Sequence, residues 1–320
     1  MEKQIKIGTR ESELAVWQAT QVKNLLAAEG VPSELVFIKT EGDIDLKTPL
    51  YEMGVQGIFT RSLDIALLNK KIDLAVHSMK DVPTQLPAGI VQAAVLKRGS
   101  HKDLLVFKEN NQWPNAGDTS LSFDERFPIA NLPISIATSS IRRKAQWLHR
   151  YPRHRLENLR GNVNTRLKKL AESNWDAAIF AAAGLERIGL RPELSAELDW
   201  MLPAPAQGAI LTVCRVDDSF SHIACRKLND AATELCAKIE RDFLRSLLGG
   251  CSTPISALAT LTENIISFEG NILSLDGREK VTVKKKVPAP DANELGRDAA
   301  LELLKNGGEG IANAIRHAAN

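Results

Sequence analysis

Gln4-Ile5-Lys6-Ile7-Gly8-Thr9-Arg10-Glu11-Ser12-Glu13-Leu14-Ala15-Val16-Trp17-Gln18-Ala19 begins as a strand and ends as the first turns of a helix. Ile5 and Ile7 alternate with polar neighbours, which is the period of a β-strand over residues 4–8. Ser12 is placed to cap a helix over residues 13–29, where Leu14, Trp17, Val22 and Leu25 recur at helical spacing and Gly30 closes the run. A strand over 34–39, a helix near 59–69 and a strand over 72–76 continue the alternation, which predicts a largely parallel sheet covered by helices. Residues 40–57 carry three glycines and one proline with weak periodicity and read as a long loop, a kind that is usually functional.

Elements of the same kind follow Arg98-Gly99-Ser100, read as a hinge. A strand over 133–137 leads to Ser139 or Ser140 as the cap of a helix that runs through Trp147 to Tyr151. A helix over 163–173 and a strand over 176–181 come next. Residues 204–213, rich in small side chains, read as a crossing back to the first unit. A long helix over 230–248 is stopped by Gly249-Gly250, and strands over 255–261, 265–269 and 280–287 precede helices near 292–306 and 311–318. The expected division is 1–98 with 204–226, then 101–202, then a small α+β domain over 230–320. The sequence shows no internal repeat.

At 320 residues, 44% hydrophobic and 25% charged, the chain falls in the globular class and is long enough for two or three cores. No stretch reaches the roughly 18 apolar residues of a membrane helix, and the start lacks a signal-peptide pattern, so a cytoplasmic protein is expected. Cys214, Cys225, Cys236 and Cys251 contain no C-x-x-C pair, which suits neither a disulfide frame nor a clustered zinc site. No phosphate-binding glycine loop is present, so neither a metal nor a nucleotide cofactor is expected.

The net charge of +2 conceals an asymmetry. Residues 142–169 hold ten Arg and Lys against Glu157 alone, leaving that segment at +9 and the rest at −7. Seven of the ten are Arg, whose planar fork matches carboxylate or phosphate bidentately. Thr138-Ser139-Ser140-Ile141-Arg142-Arg143 brings hydroxyls, helix-start N–H groups and two guanidinium groups to one place, and Leu159-Arg160-Gly161-Asn162-Val163-Asn164-Thr165-Arg166 repeats the arrangement. With Arg10 and Ser12 after the first strand, they predict a multiply anionic small molecule rather than nucleic acid, because only Trp147 and Tyr151 interleave the basic residues. His77-Ser78-Met79-Lys80-Asp81-Val82-Pro83 places an acid and a base at a strand exit, where open α/β sheets bind ligands.

Taken together and in order, these stretches resemble the porphobilinogen deaminase (hydroxymethylbilane synthase) family. The resemblance adds Pro203-Ala204-Pro205-Ala206-Gln207-Gly208-Ala209 and Glu240-Arg241 through Gly249-Gly250-Cys251 to Pro254-Ile255. It implies two doubly wound α/β domains of the type II periplasmic-binding-protein kind flanking a cleft, plus the small C-terminal domain. It implies the joining of four porphobilinogen molecules, with loss of ammonia through an azafulvene, into hydroxymethylbilane for tetrapyrrole synthesis. It also implies a dipyrromethane cofactor held by a thioether at Cys251. Asp81 matches the catalytic aspartate; Arg10, Arg142, Arg143, Arg160, Arg166 and Arg187 match carboxylate-binding positions; Ser12, Lys80, Ser139, Ser140 and Gln207 add donors; Phe59 matches an active-site aromatic. Arg153 and Arg155 are further candidates. The family implies a monomer whose product passes to uroporphyrinogen-III synthase.

The chain departs from the family pattern at Gly54-Val55-Gln56-Gly57-Ile58-Phe59, where the family usually reads Gly-Gly-Lys-Gly-Leu-Phe, and at Glu52, where a basic residue is common. Asp43 is kept, and Ala206 replaces a common glycine. The expected consequence is altered substrate affinity or loop behaviour in a working enzyme. The alternative is a non-catalytic carboxylate-binding protein of the same cleft fold, with no adduct on Cys251.

Overall fold

The computed structural model describes residues 4–39, 60–108, 118, 121–247 and 253–319. In chain order the strands are β1 (Ile5–Thr9), β2 (Ser33–Phe37), β3 (Leu74–Ser78), β4 (Ile90–Val95), β5 (Asp103–Phe107), β6 (Ser135–Ala137), β7 (Arg155–Glu157), β8 (Ala177–Ala181), β9 (Ser195–Glu197), β10 (Ile210–Arg215), β11 (Ile255–Thr262), β12 (Ile265–Leu273) and β13 (Lys280–Pro288). One sheet has the order β2-β1-β3-β10-β4, another β7-β6-β8-β5-β9, and the third β11-β12-β13. In the first, β1 is parallel to β2 and β3, while β10 is antiparallel to β3 and β4. The second repeats this, with β6 parallel to β7 and β8 and β5 antiparallel to β8 and β9. This is the α/β architecture that the alternation predicts, but two of the four strand pairings in each of these two sheets are antiparallel, so the sheets are mixed rather than largely parallel.

Differences from the sequence reading have local causes. The strand expected over 72–76 begins two residues later. Lys71 and Ile72 still donate to Ala66 O at the end of the Arg61–Leu68 helix, and Asp73 accepts the Lys6 N–H at 3.0 Å before β3 starts. Helix Glu13–Ala28 buries Gln18, Ala19, Val22 and Leu26, whereas Leu25 is exposed. Leu14 instead lies against Gly184, and Trp17 lies under the Arg187 guanidinium, so two residues of the predicted apolar stripe serve contact with the second unit. Strands β4, β5, β7 and β9 and the helices Phe123–Arg126, Ala182–Glu186 and Ser219–Arg226 were absent from the sequence reading, and β10 lies in the stretch read only as a crossing. The 40–57 loop, Phe59, Gly249-Gly250 and Cys251 lie outside the described residues.

The second core centres on the fully buried Trp147, 5.0 Å from Tyr151 and 5.7 Å from Trp200 between ring centroids. The third packs Phe243 of helix Ala231–Leu247 against Phe268 at 5.2 Å. Two segments cross between the first two units, and they are bonded together: Gly99 N donates to Gly208 O at 3.0 Å. Gly208 sits at φ +88°, and a Cβ there would stand 2.7 Å from the carbonyl oxygens of Gly99 and Ser100, so only glycine lets the crossings approach this closely. The fully buried Glu240 gathers both crossings and β11, accepting from Arg98 at 2.6 and 3.1 Å, Ala206 N at 2.6 Å and Ala259 N at 2.8 Å. Among the described residues no helix is long and apolar enough to cross a membrane.

Candidate active site

The first wall of the site is the exit of β3. The chain leaves the sheet through a short 3₁₀ turn, Met79–Asp81, pinned by Met79 N donating to Ala209 O at 3.0 Å. Asp81 is exposed and Lys80 half-buried, with Lys80 Nζ donating to Gln207 Oε1 at 3.3 Å. Burial pulls the Lys80 ammonium down to about 8; Asp81 opposes that shift and Arg143 adds to it. Burial, with Arg10 nearby, takes His77 down to about 4, so this ring is neutral in ordinary buffers. Ser12 holds the cap position of the Glu13–Ala28 helix in extended geometry but makes no capping hydrogen bond, which leaves its hydroxyl for another partner.

The second wall is built from two helix starts. Ser140 caps helix Ile141–Arg150 by accepting Arg143 N at 3.4 Å, and Ser139 Oγ accepts Leu159 N at 2.9 Å. Asn162 caps Val163–Glu172 by accepting Thr165 N at 2.9 Å. Gly161, at φ +115°, turns the chain between Arg160 and that cap, and a Cβ there would overlap Thr165 at 2.7 Å. Arg160 is buried. Burial, with Arg143 and Arg160 near, pulls Arg166 down to about 10 against the favourable field of Asp81. The two walls therefore face each other closely enough for their charges to interact.

Sequence reasoning did not find what sets this wall. Asp103, the first residue of β5, is fully buried and accepts from Arg142 Nη2 at 2.7 Å and from Arg143 Nη2 and Nε at 2.7 and 3.2 Å. Burial alone would raise its carboxyl, yet the two guanidinium groups and Lys80 hold it well below the usual carboxylate range. Arg142 also donates to Leu202 O at 2.6 Å and Arg143 to Ile179 O at 2.9 Å, so both arginines have part of their donor set engaged within the protein. Gln207 links the walls, its amide nitrogen donating to Asp103 Oδ1 at 2.9 Å and to His101 O at 2.8 Å while its oxygen receives Lys80. The available signal was an acid opening the apolar run Leu104-Leu105-Val106-Phe107, because a carboxylate entering a core needs a cationic partner.

The remaining candidates divide. Arg187 lies 5.6 Å over Trp17 and donates to Gly208 O at 2.6 Å, beside the crossings rather than at the Asp81 turn. Arg153 and Arg155 are exposed, and Phe59 and Cys251 are outside the described residues. Lys80, Asp81, Arg142, Arg143 and Arg166 lie within interaction range of one another in an unbroken series, with Arg160 beside Arg166 and Arg10 beside His77. Such a cluster is suited to hold several carboxylates beside the exposed carboxylate of Asp81, which has no hydrogen bond or ion pair among the described residues.

A family model described as "Porphobilinogen deaminase, dipyromethane cofactor binding domain" matches residues 5–222, and one described as "Porphobilinogen deaminase, C-terminal domain" matches 234–305. A curated porphobilinogen deaminase from Trichlorobacter lovleyi is 39% identical, covering 97% of this chain and 96% of its own. One from Syntrophomonas wolfei is 38% identical over 96% of this chain and 97% of its own. Among solved structures, an ancestral cationic amino acid solute binding protein covers 70% of this chain and 87% of its own at 12% identity, with a TM-score of 0.41. The strand orders carry the fold class; the near full-length sequence matches carry the family, and the chain belongs to the porphobilinogen deaminase family.

Proposed function

We propose that the chain condenses porphobilinogen head to tail, with release of ammonia, into hydroxymethylbilane, using Asp81 as catalytic carboxylate and a dipyrromethane group held as a thioether by Cys251. The observation that carries this reading is that Lys80, Arg143 and Arg166 lie close enough to one another and to Asp81 to interact, with Arg160 beside Arg166, in a chain matched by the family's cofactor-binding domain. The residues fit such a group. Arg142 Nε and Arg166 Nε are buried without a hydrogen-bond partner among the described residues, and acetate or propionate carboxylates would supply both the acceptors and the negative charge.

Arg10, Ser12, Lys80, Ser139, Ser140, Arg142, Arg143, Arg160, Arg166 and Arg187 form the carboxylate-binding set, and Gln207 keeps Lys80 and Asp103 in register. When bound, the dipyrromethane supplies a nucleophilic pyrrole carbon as the starting point of the product chain. Asp81 accepts pyrrole N–H groups of the substrate and stabilises the positive charge that develops on nitrogen as ammonia leaves. The neutral His77 beneath the turn adds no competing cation. The domains divide at 1–98 with 204–226, 101–202 and 230–320. The enzyme works as a cytoplasmic monomer without nucleic acid or membrane, and its product is taken up by uroporphyrinogen-III synthase.

Intact mass under denaturing conditions tests this, with the wild-type chain beside Cys251→Ser. The expected result is a mass excess of two linked pyrrole units in the wild type alone, because a thioether survives denaturation. A wild-type chain that stays unmodified after incubation with porphobilinogen would favour the carboxylate-binding alternative.

A further inference from the structure

We infer that Arg241 is the positioning residue for Asp81, bracing the catalytic turn from the third unit. The inference rests on the reading of Asp81 given above. Arg241 lies in helix Ala231–Leu247, and its guanidinium donates to three carbonyls on either side of Lys80 and Asp81: Nη1 to Met79 O at 3.2 Å and Val82 O at 2.9 Å, and Nη2 to Pro83 O at 2.5 Å. Those carbonyls bracket Asp81. Among the described residues no hydrogen bond fixes the Asp81 side chain itself, and the turn's own support is Val82 N donating to Met79 O at 3.2 Å. The direction of the carboxylate is therefore set by the backbone, which Met79 N anchors to Ala209 O at the start of the turn and Arg241 grips on both sides of Asp81.

Only an arginine fits this task. Its fork spans separated acceptors in one plane, whereas a lysine ammonium is a single point charge and cannot span all three. The neighbouring Glu240 grips both crossing segments, so consecutive residues of one helix fix the hinge and the catalytic turn. A cavity of about 210 Å³ lies beside Arg241, lined by Met79, Thr84, Leu86, Glu234 and Asp242. A shorter side chain at this position meets open space, so the clamp can be removed without forcing the core to repack.

The test is a double-mutant cycle on the full chain. Arg241→Gln is expected to lower kcat by roughly 10–100-fold, the range for a reacting group displaced by about 1 Å, with KM within about threefold and the cofactor mass excess retained. In an Asp81→Asn background the same substitution should cost less than about threefold, because there is no carboxylate left to position. Arg241→Lys should show a smaller loss that also disappears in that background, and it serves for the cycle should Arg241→Gln fail to fold. A kcat within about twofold of wild type for Arg241→Gln, or an equal loss with and without Asp81, overturns the inference. Failure of the enzymatic reading is separate: it shows as absent turnover or absent mass excess in the wild type.

Discussion

The first two sheets share one strand plan and differ at one decisive position. In the first, Ile210 opens the antiparallel strand opposite Ser78 at the end of β3; in the second, Asp103 opens it opposite Ala181 at the end of β8. The same register position thus holds a 4%-exposed isoleucine in one unit and a fully buried carboxylate in the other. The consequence is that the arginine wall is locked from within, Asp103 tying the Ile141–Arg150 helix to its own sheet. Among the described residues the Asp81 wall has no buried ion pair of this kind: its turn is pinned within its own unit by Met79 N donating to Ala209 O and is braced by Arg241 of the third unit. The wall that presents cations carries its own counter-charge, and the wall that presents Asp81, the proposed reacting carboxylate, takes its side-chain support from another unit.

Breaking the internal lock should have the largest effect. Asp103→Asn leaves two buried guanidinium groups without their carboxylate and is expected to cost about 3–5 kcal/mol in urea unfolding. A loss below about 1 kcal/mol would sink the comparison. The pH dependence has a definite sign. The folded carboxyl is held below its unfolded value of about 3.9, so its stabilisation is complete above that value and is lost as pH falls through the folded one. The gap between wild type and variant should be steady from about pH 5 to 7 and narrow in stronger acid. At the other wall, Asp81→Asn should lower kcat by roughly 10²–10³, or about 3–4 kcal/mol of barrier, while leaving stability nearly unchanged because the side chain is exposed.

Lys80 bridges the walls, and its effect should be smaller and graded. Burial brings its ammonium down to about 8, so the free enzyme loses this charge as pH rises through that value. KM for a carboxylate substrate should climb above about pH 8, and Lys80→Met should flatten that rise. Between about 8 and 10.4 the unfolded chain binds the extra proton, so stability should rise slightly with pH over the same window. Steady-state kinetics beside urea unfolding at several pH values separates the two trends, which run in opposite directions.

What was legible in the sequence was what is local. The first strand and helix announce themselves through alternation and capping, and the anion site through adjacent hydroxyls, helix starts and guanidinium groups. Partners were not legible, because they are distant along the chain. Asp103 meets Arg142 and Arg143 across 39 and 40 residues, and Arg241 reaches the catalytic turn across about 160. Strand β5 was hidden by its own first residue, since an aspartate before an apolar run reads as a boundary. Arg142 and Arg143 were recognised as chemistry, but nothing near them indicates that a protein carboxylate already engages part of each fork.

The smallest expected effect concerns a position where this chain departs from its family. Ala206, where glycine is common, sits at φ +61° and is fully buried, with its N–H donated to Glu240 at 2.6 Å. The left-handed conformation costs an alanine roughly 1–2 kcal/mol. Glycine removes that cost but frees the unfolded chain by about 0.5–1 kcal/mol, and it also loses a fully buried methyl from the core that includes Leu63, Ile72 and Met79. These contributions nearly cancel, so Ala206→Gly should shift unfolding by less than about 1 kcal/mol with kcat unchanged. Ala206→Val, β-branched in a conformation it disfavours, should destabilise clearly. If glycine instead costs more than about 1 kcal/mol, the packed methyl outweighs the strain. The crossing would then be held by packing as much as by the Glu240 hydrogen bonds.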